Sequence, residues 1–240
     1  MNIDDSAMHD LIRAFTRSTK GDLEHNSSEN DFVTNNGEAS YSWNYIFGDI
    51  AKAAVNNNLK YIVVERTKIW QFVAVFSQDE KELLLFFKEK NLRTILSKFE
   101  GKPFHYLNCL LVKNISLNGQ EIIHQMNLFS NTEIDEKRTI EAKKMLQEDF
   151  EKIETIYVCS KEEISGNVVS VTMNLLNGFG ETVSQEDMTD YMLLDYETTS
   201  AISSDNNKTP TIPTLKEQFK RKEENTIPNK KEDKREDKKE

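Results

Sequence analysis

The chain has 240 residues, 37% hydrophobic and 30% charged, with 31 basic against 41 acidic side chains and a formal net charge of -10. That length suits one domain with appendages, and the excess of acid excludes non-specific attraction of the whole chain to a phosphate backbone. Apolar runs such as Phe72 to Phe76 and Leu83 to Phe87 span five residues, far short of the roughly 20 needed to cross a bilayer, so no membrane association is expected.

Met1-Asn2-Ile3-Asp4-Asp5-Ser6 places acids where a secretory signal needs a basic start and an apolar stretch. The expected location is therefore the cytoplasm, with Cys109 and Cys159, which fit no metal or disulfide spacing, as buried thiols in a reducing compartment. Met8, Leu11, Ile12 and Phe15 repeat at i, i+3, i+4 and i+7 and predict a first helix, with Asp4 and Asp5 supplying acids and Ser6 a capping hydroxyl at its start. From Thr19 to Ser42 the chain is rich in Asn, Ser, Gly, Asp and Glu, and reads as a long surface loop near 19-42. Ser42 is placed to cap a second helix with the stripe Trp43, Ile46, Phe47, Ile50 and Ala54, stopped at Asn56-Asn57-Asn58.

Tyr61 to Val64, Ile69 to Phe76 and Leu83 to Phe87 are β-branched and aromatic runs separated by polar connections, which predicts a three-strand antiparallel meander. Both alternate sets of the second run are largely apolar, so that strand is expected to be covered on both faces. Leu92, Ile95, Leu96 and Phe99 predict a helix closed by Gly101-Lys102-Pro103, and Phe104 to Val112 a further one. Asn118-Gly119 signals a tight turn, and Thr132 to Lys152 is expected to form the longest helix. Thr155 to Cys159 and Val168 to Leu175 predict a hairpin across Ser160 to Asn167, ended by Asn177-Gly178-Phe179-Gly180.

Strands gathered in runs, instead of alternating singly with helices, give an α+β class: a meander plus a later hairpin in an antiparallel sheet packed by helices. Residues 1-195 are expected to form this single domain. Residues 196-240, rich in Ser, Thr, Asn, Pro, Lys and Glu and fully charged from Lys230 onward, are expected to be a disordered tail.

Candidate binding residues are Arg66 and Trp70, a cation and an aromatic of the types enriched at interface hot spots, and His105 and Tyr106 at a helix start. Against them stand a core role for Trp70 and a capping role for His105. In the tail, Leu215 and Phe219 at i, i+4 follow Pro210-Thr211-Ile212-Pro213 and form a short motif for a partner. Asp49, Glu65, Lys68 and His105 are the residues on which a metal-dependent, nuclease-like or acid-base enzyme would be built, although Glu-x-x-Lys aims Glu65 and Lys68 to opposite sides of a strand. The glycines form no phosphate loop, there is no Gly-x-Ser-x-Gly elbow, and neither cysteine has a nucleophile signature. No catalytic set, metal site or cofactor is assigned.

Tyr45-Ile46-Phe47-Gly48, Arg66 to Trp70, His105-Tyr106-Leu107-Asn108 and Thr155 to Val158 with Val168 to Val171 together resemble a family of uncharacterised proteins of low-GC Gram-positive bacteria and their mobile elements, which has no assigned activity. The resemblance spans roughly Met8 to Asn177 and implies a bacterial accessory protein without supplying catalytic residues. The expected function is a non-enzymatic intracellular binding module that recognises a protein partner, nucleic acid being the less favoured one. The enzyme and a DNA-binding regulator, which would need a basic face on an acidic body, are the alternatives.

Overall fold

The computed structural model describes residues 1, 3-66, 70-119 and 132-193. The chain divides into Met1–Leu194 and Asp195–Glu240, and the second unit, with the expected tail, lies outside the described residues. Helix α1 (Asp5–Thr16) starts on the Asp4 carboxylate, which accepts from the Ser6 N–H, so the cap is the aspartate and not the serine. Its predicted stripe, Leu11, Ile12 and Phe15, is fully buried. Helix α2 (Lys20–Glu29) occupies much of the stretch read as loop, which corrects that reading: it buries no residue and has no apolar face to announce it. Helix α3 (Glu38–Asn56) begins before Ser42, whose hydroxyl is hydrogen-bonded to Thr19 Oγ1 at 2.8 Å instead of capping. The stripe itself stands, with Ile46, Phe47, Ile50 and Ala54 buried.

Strands β1 (Lys60–Glu65), β2 (Gln71–Ser77) and β3 (Glu82–Lys88) form the predicted antiparallel meander. Phe72 to Ser77 and Leu83 to Phe87 are all buried, as continuous apolar runs covered on both faces must be. Helices α4 (Glu89–Leu96) and α5 (Tyr106–Leu110) follow, the latter continuing into a 3-10 segment, Leu111–Leu117. Helix α6 (Thr132–Leu146) ends at Gln147, whose φ of 49° leaves the helical region, and a 3-10 turn completes the stretch to Lys152. It is shorter than expected, and at 19 residues α3 exceeds its 15.

Strands β4 (Thr155–Ile164) and β5 (Asn167–Leu176) make the predicted hairpin, but longer and tighter than expected. Its turn is Ser165-Gly166, with φ of 51° and 82°, the positive-φ pair that a two-residue hairpin connection requires. Strand β6 (Thr182–Asp187) then adds an edge that sequence reading missed, because all six of its residues are exposed and its apolar content is a single valine. The described sheet has six strands in the order β1-β2-β3-β4-β5-β6, antiparallel except for β3 and β4, which run parallel. The fold is α+β with a mostly antiparallel sheet.

The parallel β3–β4 pair follows from the crossover through α4, α5 and α6, which returns the chain to the side of β3 where that strand began: Glu82 pairs with Thr155 and Lys88 with Lys161. Phe86 meets Phe15 of α1 at 5.1 Å between ring centroids, whereas its neighbour Phe87 stacks on Tyr106 of α5 at 5.9 Å. Successive strand residues point to opposite faces, so α1 covers one face and α5 the other. No helix among the described residues is long and apolar enough to cross a membrane.

Candidate functional site

The β1–β2 connection, the end of β3 and the start of α5 lie at one end of the sheet, and there the helices covering its two faces leave a cleft of about 270 Å³. Helix α3 contributes Trp43 and Phe47, stacked at 4.8 Å. The connection contributes Arg66 and Trp70, with Arg66 N–H donating to the Trp70 carbonyl at 3.0 Å. The start of α5 contributes His105 and Tyr106, whose rings lie 4.4 Å apart. Four of the predicted binding residues, Arg66, Trp70, His105 and Tyr106, thus come from two distant segments to one place. Leu215 and Phe219 lie outside the described residues.

Tyr106 organises this end of the sheet. Its ring stacks nearly parallel on Phe87, with 4° between planes, and tilts against Phe72 at 5.3 Å, while the Arg66 guanidinium carbon lies 4.6 Å from its centroid. Burial pushes the Tyr106 phenol up, against the opposing pull of the Arg66 charge, and so keeps it protonated. Arg66 has no ion pair among the described residues, and no carboxylate lines the cleft.

His105 is the cap of α5: its Nδ1 accepts from Leu107 N–H at 3.3 Å, which in the neutral ring leaves the proton on Nε2. Burial, with the Arg66 and Lys102 charges adding to it, lowers its pKa to about 4. The ring is therefore neutral at physiological pH, a donor through Nε2 and not a base with a free lone pair. Lys88, which also lines the cleft, pairs with Glu163 at 2.7 Å, and Glu163 in turn meets buried Lys161 at 3.2 Å.

The residues of the enzyme alternative do not gather here. Asp49 pairs with Arg17 Nε at 2.7 Å and with Lys52 at 3.1 Å, and Glu65 accepts from Gln71 at 2.9 Å. Neither lines the cleft that holds His105, and Lys68 lies outside the described residues. Among the described residues no group of three His, Cys, Asp or Glu side chains is placed to hold a metal ion. Burial raises both thiols, Cys109 to about 11 and Cys159 further, so neither is a ready nucleophile.

A wider depression of about 1810 Å³ opens between α2 and the Ser165-Gly166 turn. Of its cations, Arg17 is matched by Asp22 and Asp49, Lys20 by Glu24, and Lys88 and Lys161 by Glu163, which leaves Arg13 without an ion pair among the described residues. The smaller cleft is selected as the site because it gathers Arg66, Trp70, His105 and Tyr106, none of which lines the wider depression. Sequence reading missed Trp43 and Phe47 as cleft walls, since their i, i+4 spacing is the same whether a helix face meets a core or an opening.

No curated protein and no solved structure matches the chain. A family model described as a family of unknown function (DUF5986) matches residues 1–232, and the chain belongs to that family.

Proposed function

We propose that the chain is a non-enzymatic, intracellular accessory module that recognises a protein partner through the aromatic cleft at the end of its sheet. The observation that carries this reading is the convergence of Arg66, Trp70, His105 and Tyr106 on one opening walled by aromatic rings. Arg, Trp and Tyr are the residue types that dominate binding energy at protein interfaces. The capping role and low pKa of His105 support binding over acid-base chemistry. Two buried free cysteines fit a reducing compartment. In this reading residues 1-195 carry recognition, and the charge-rich tail of residues 196-240, which also carries Leu215 and Phe219, extends its reach.

The test is affinity capture from cells of the protein's own source, after nuclease treatment, with the wild type and the Arg66→Ala/Trp70→Ala double variant side by side. A protein that survives nuclease on the wild type and is lost from the variant is the expected result. Retention of nucleic acid alone, or equal retention of a protein by both forms, would overturn the reading.

A further inference from the structure

We infer that the residue of the partner that enters the cleft is an aromatic side chain with a carboxylate beside it, the ring filling the opening and the carboxylate pairing with Arg66. The inference rests on the protein-partner reading above and names its chemistry. At about 270 Å³ the cleft lies at the small end of ligand sites. It has room for one ring and its near neighbour, not for a helix. Its walls are rings in stacked and tilted arrangements, Trp43 on Phe47 and Tyr106 on Phe87 and Phe72, the geometry in which a further aromatic ring gains beyond its buried area.

The charge of the site fixes the second half of the ligand. Of the two cations in the lining, Lys88 is held by Glu163, and Arg66 has no carboxylate partner among the described residues. The Arg66 guanidinium lies over the Tyr106 ring, and a guanidinium with a face on a ring still has the N–H groups along its edge for a bidentate carboxylate. His105, with Nδ1 engaged by Leu107 N–H, offers Nε2–H as a further donor. A single anionic group satisfies this arrangement. A strand of nucleic acid would bring several phosphates to a chain of net charge -10, which long-range repulsion disfavours.

Trp43 and Trp70 are the two tryptophans of the chain, and both line the cleft, so indole fluorescence reports its occupancy. The experiment titrates the full chain with short capped peptides carrying Phe beside Glu, Phe beside Gln, or Phe beside Lys, and with adenosine monophosphate, confirming each affinity by calorimetry. The Phe–Glu peptide should perturb the indoles and bind roughly tenfold more tightly than Phe–Gln, the scale of one charge-assisted hydrogen bond. Arg66→Ala, a change at an exposed side chain, should abolish that difference while the protein still unfolds in a single cooperative thermal transition. Equal binding of the Glu and Gln peptides, binding by none of them, or tighter binding of the mononucleotide each overturns the inference. If the capture experiment still yields a nuclease-resistant partner dependent on Arg66 and Trp70, the protein-partner reading survives that failure; if it does not, both fall.

Discussion

His105 couples the cleft to the stability of the fold, because the nitrogen that caps α5 is the one that protonation would fill. Its pKa of about 4, set first by burial and then by Arg66 and Lys102, lies below the ordinary value near 6.5 of an unfolded chain. Between those values the unfolded chain binds a proton that the native state refuses, so stability falls as pH falls through that window and is fully present above it. Urea unfolding at pH 7 and pH 5 should show a loss of stability that is smaller in His105→Asn, a side chain that retains a capping acceptor without titrating. The same loss in both proteins would exclude His105 as its source. Asp149 acts in a separate window: burial would raise its pKa, but hydrogen bonds from Lys60 and Lys152 outweigh that and lower it. Its contribution is lost at more acid pH, as the native carboxylate titrates. The sequence made His105 legible as a cap through its place after Pro103, whereas its depressed pKa depends on Arg66, 39 positions away, and could not be read there.

At the level of elements, the crossover between β3 and β4 is locked by one buried side chain. Arg138 of α6 donates to the Asn108 carbonyl from Nε at 3.0 Å and Nη2 at 2.6 Å, to the Gly178 carbonyl at 2.8 Å, and to Asp135 at 2.8 Å. It thereby ties α6 to α5 and to the connection between β5 and β6. Arg138→Ala should lower stability by about 3 kcal/mol in urea unfolding, since it removes the hydrogen bonds that Arg138 donates to two buried carbonyls. Arg138→Lys should recover only part of this, because one ammonium cannot reproduce the fork. A loss below about 1 kcal/mol would show that the contacts are dispensable. In sequence Arg138 is one of many charges in a Glu- and Lys-rich helix, and nothing in its spacing marks it as buried. The elements with a buried face were legible: α1, α3 and the meander all carry apolar residues at their proper period. Helix α2 and strand β6 were not, because neither buries a residue, so the hydrophobic pattern that identifies an element was never written into them.

For the molecule as a whole, the sheet positions the cleft: β1 and β3 end where β2 begins, and the helices on opposite faces, α3 and α5, bring Trp43 and Tyr106 to the same opening. The hydrophobic cluster runs from Met8 to Met188 within the first unit, so that unit should fold without the second. A chain ending at Leu194 should unfold in one transition with the urea midpoint of the full chain. A lower midpoint would show that residues beyond 194 contribute to the native state. By itself the sequence determined the α+β class, the meander, the hairpin and the core stripes, because each is a local period of apolar residues that must be buried. The parallel pairing of β3 with β4, the length of the hairpin strands and the joining of Arg66 and Trp70 to His105 and Tyr106 were decided in the tertiary structure. They depend on where a crossover returns the chain, and that is set by packing between segments that no local pattern connects.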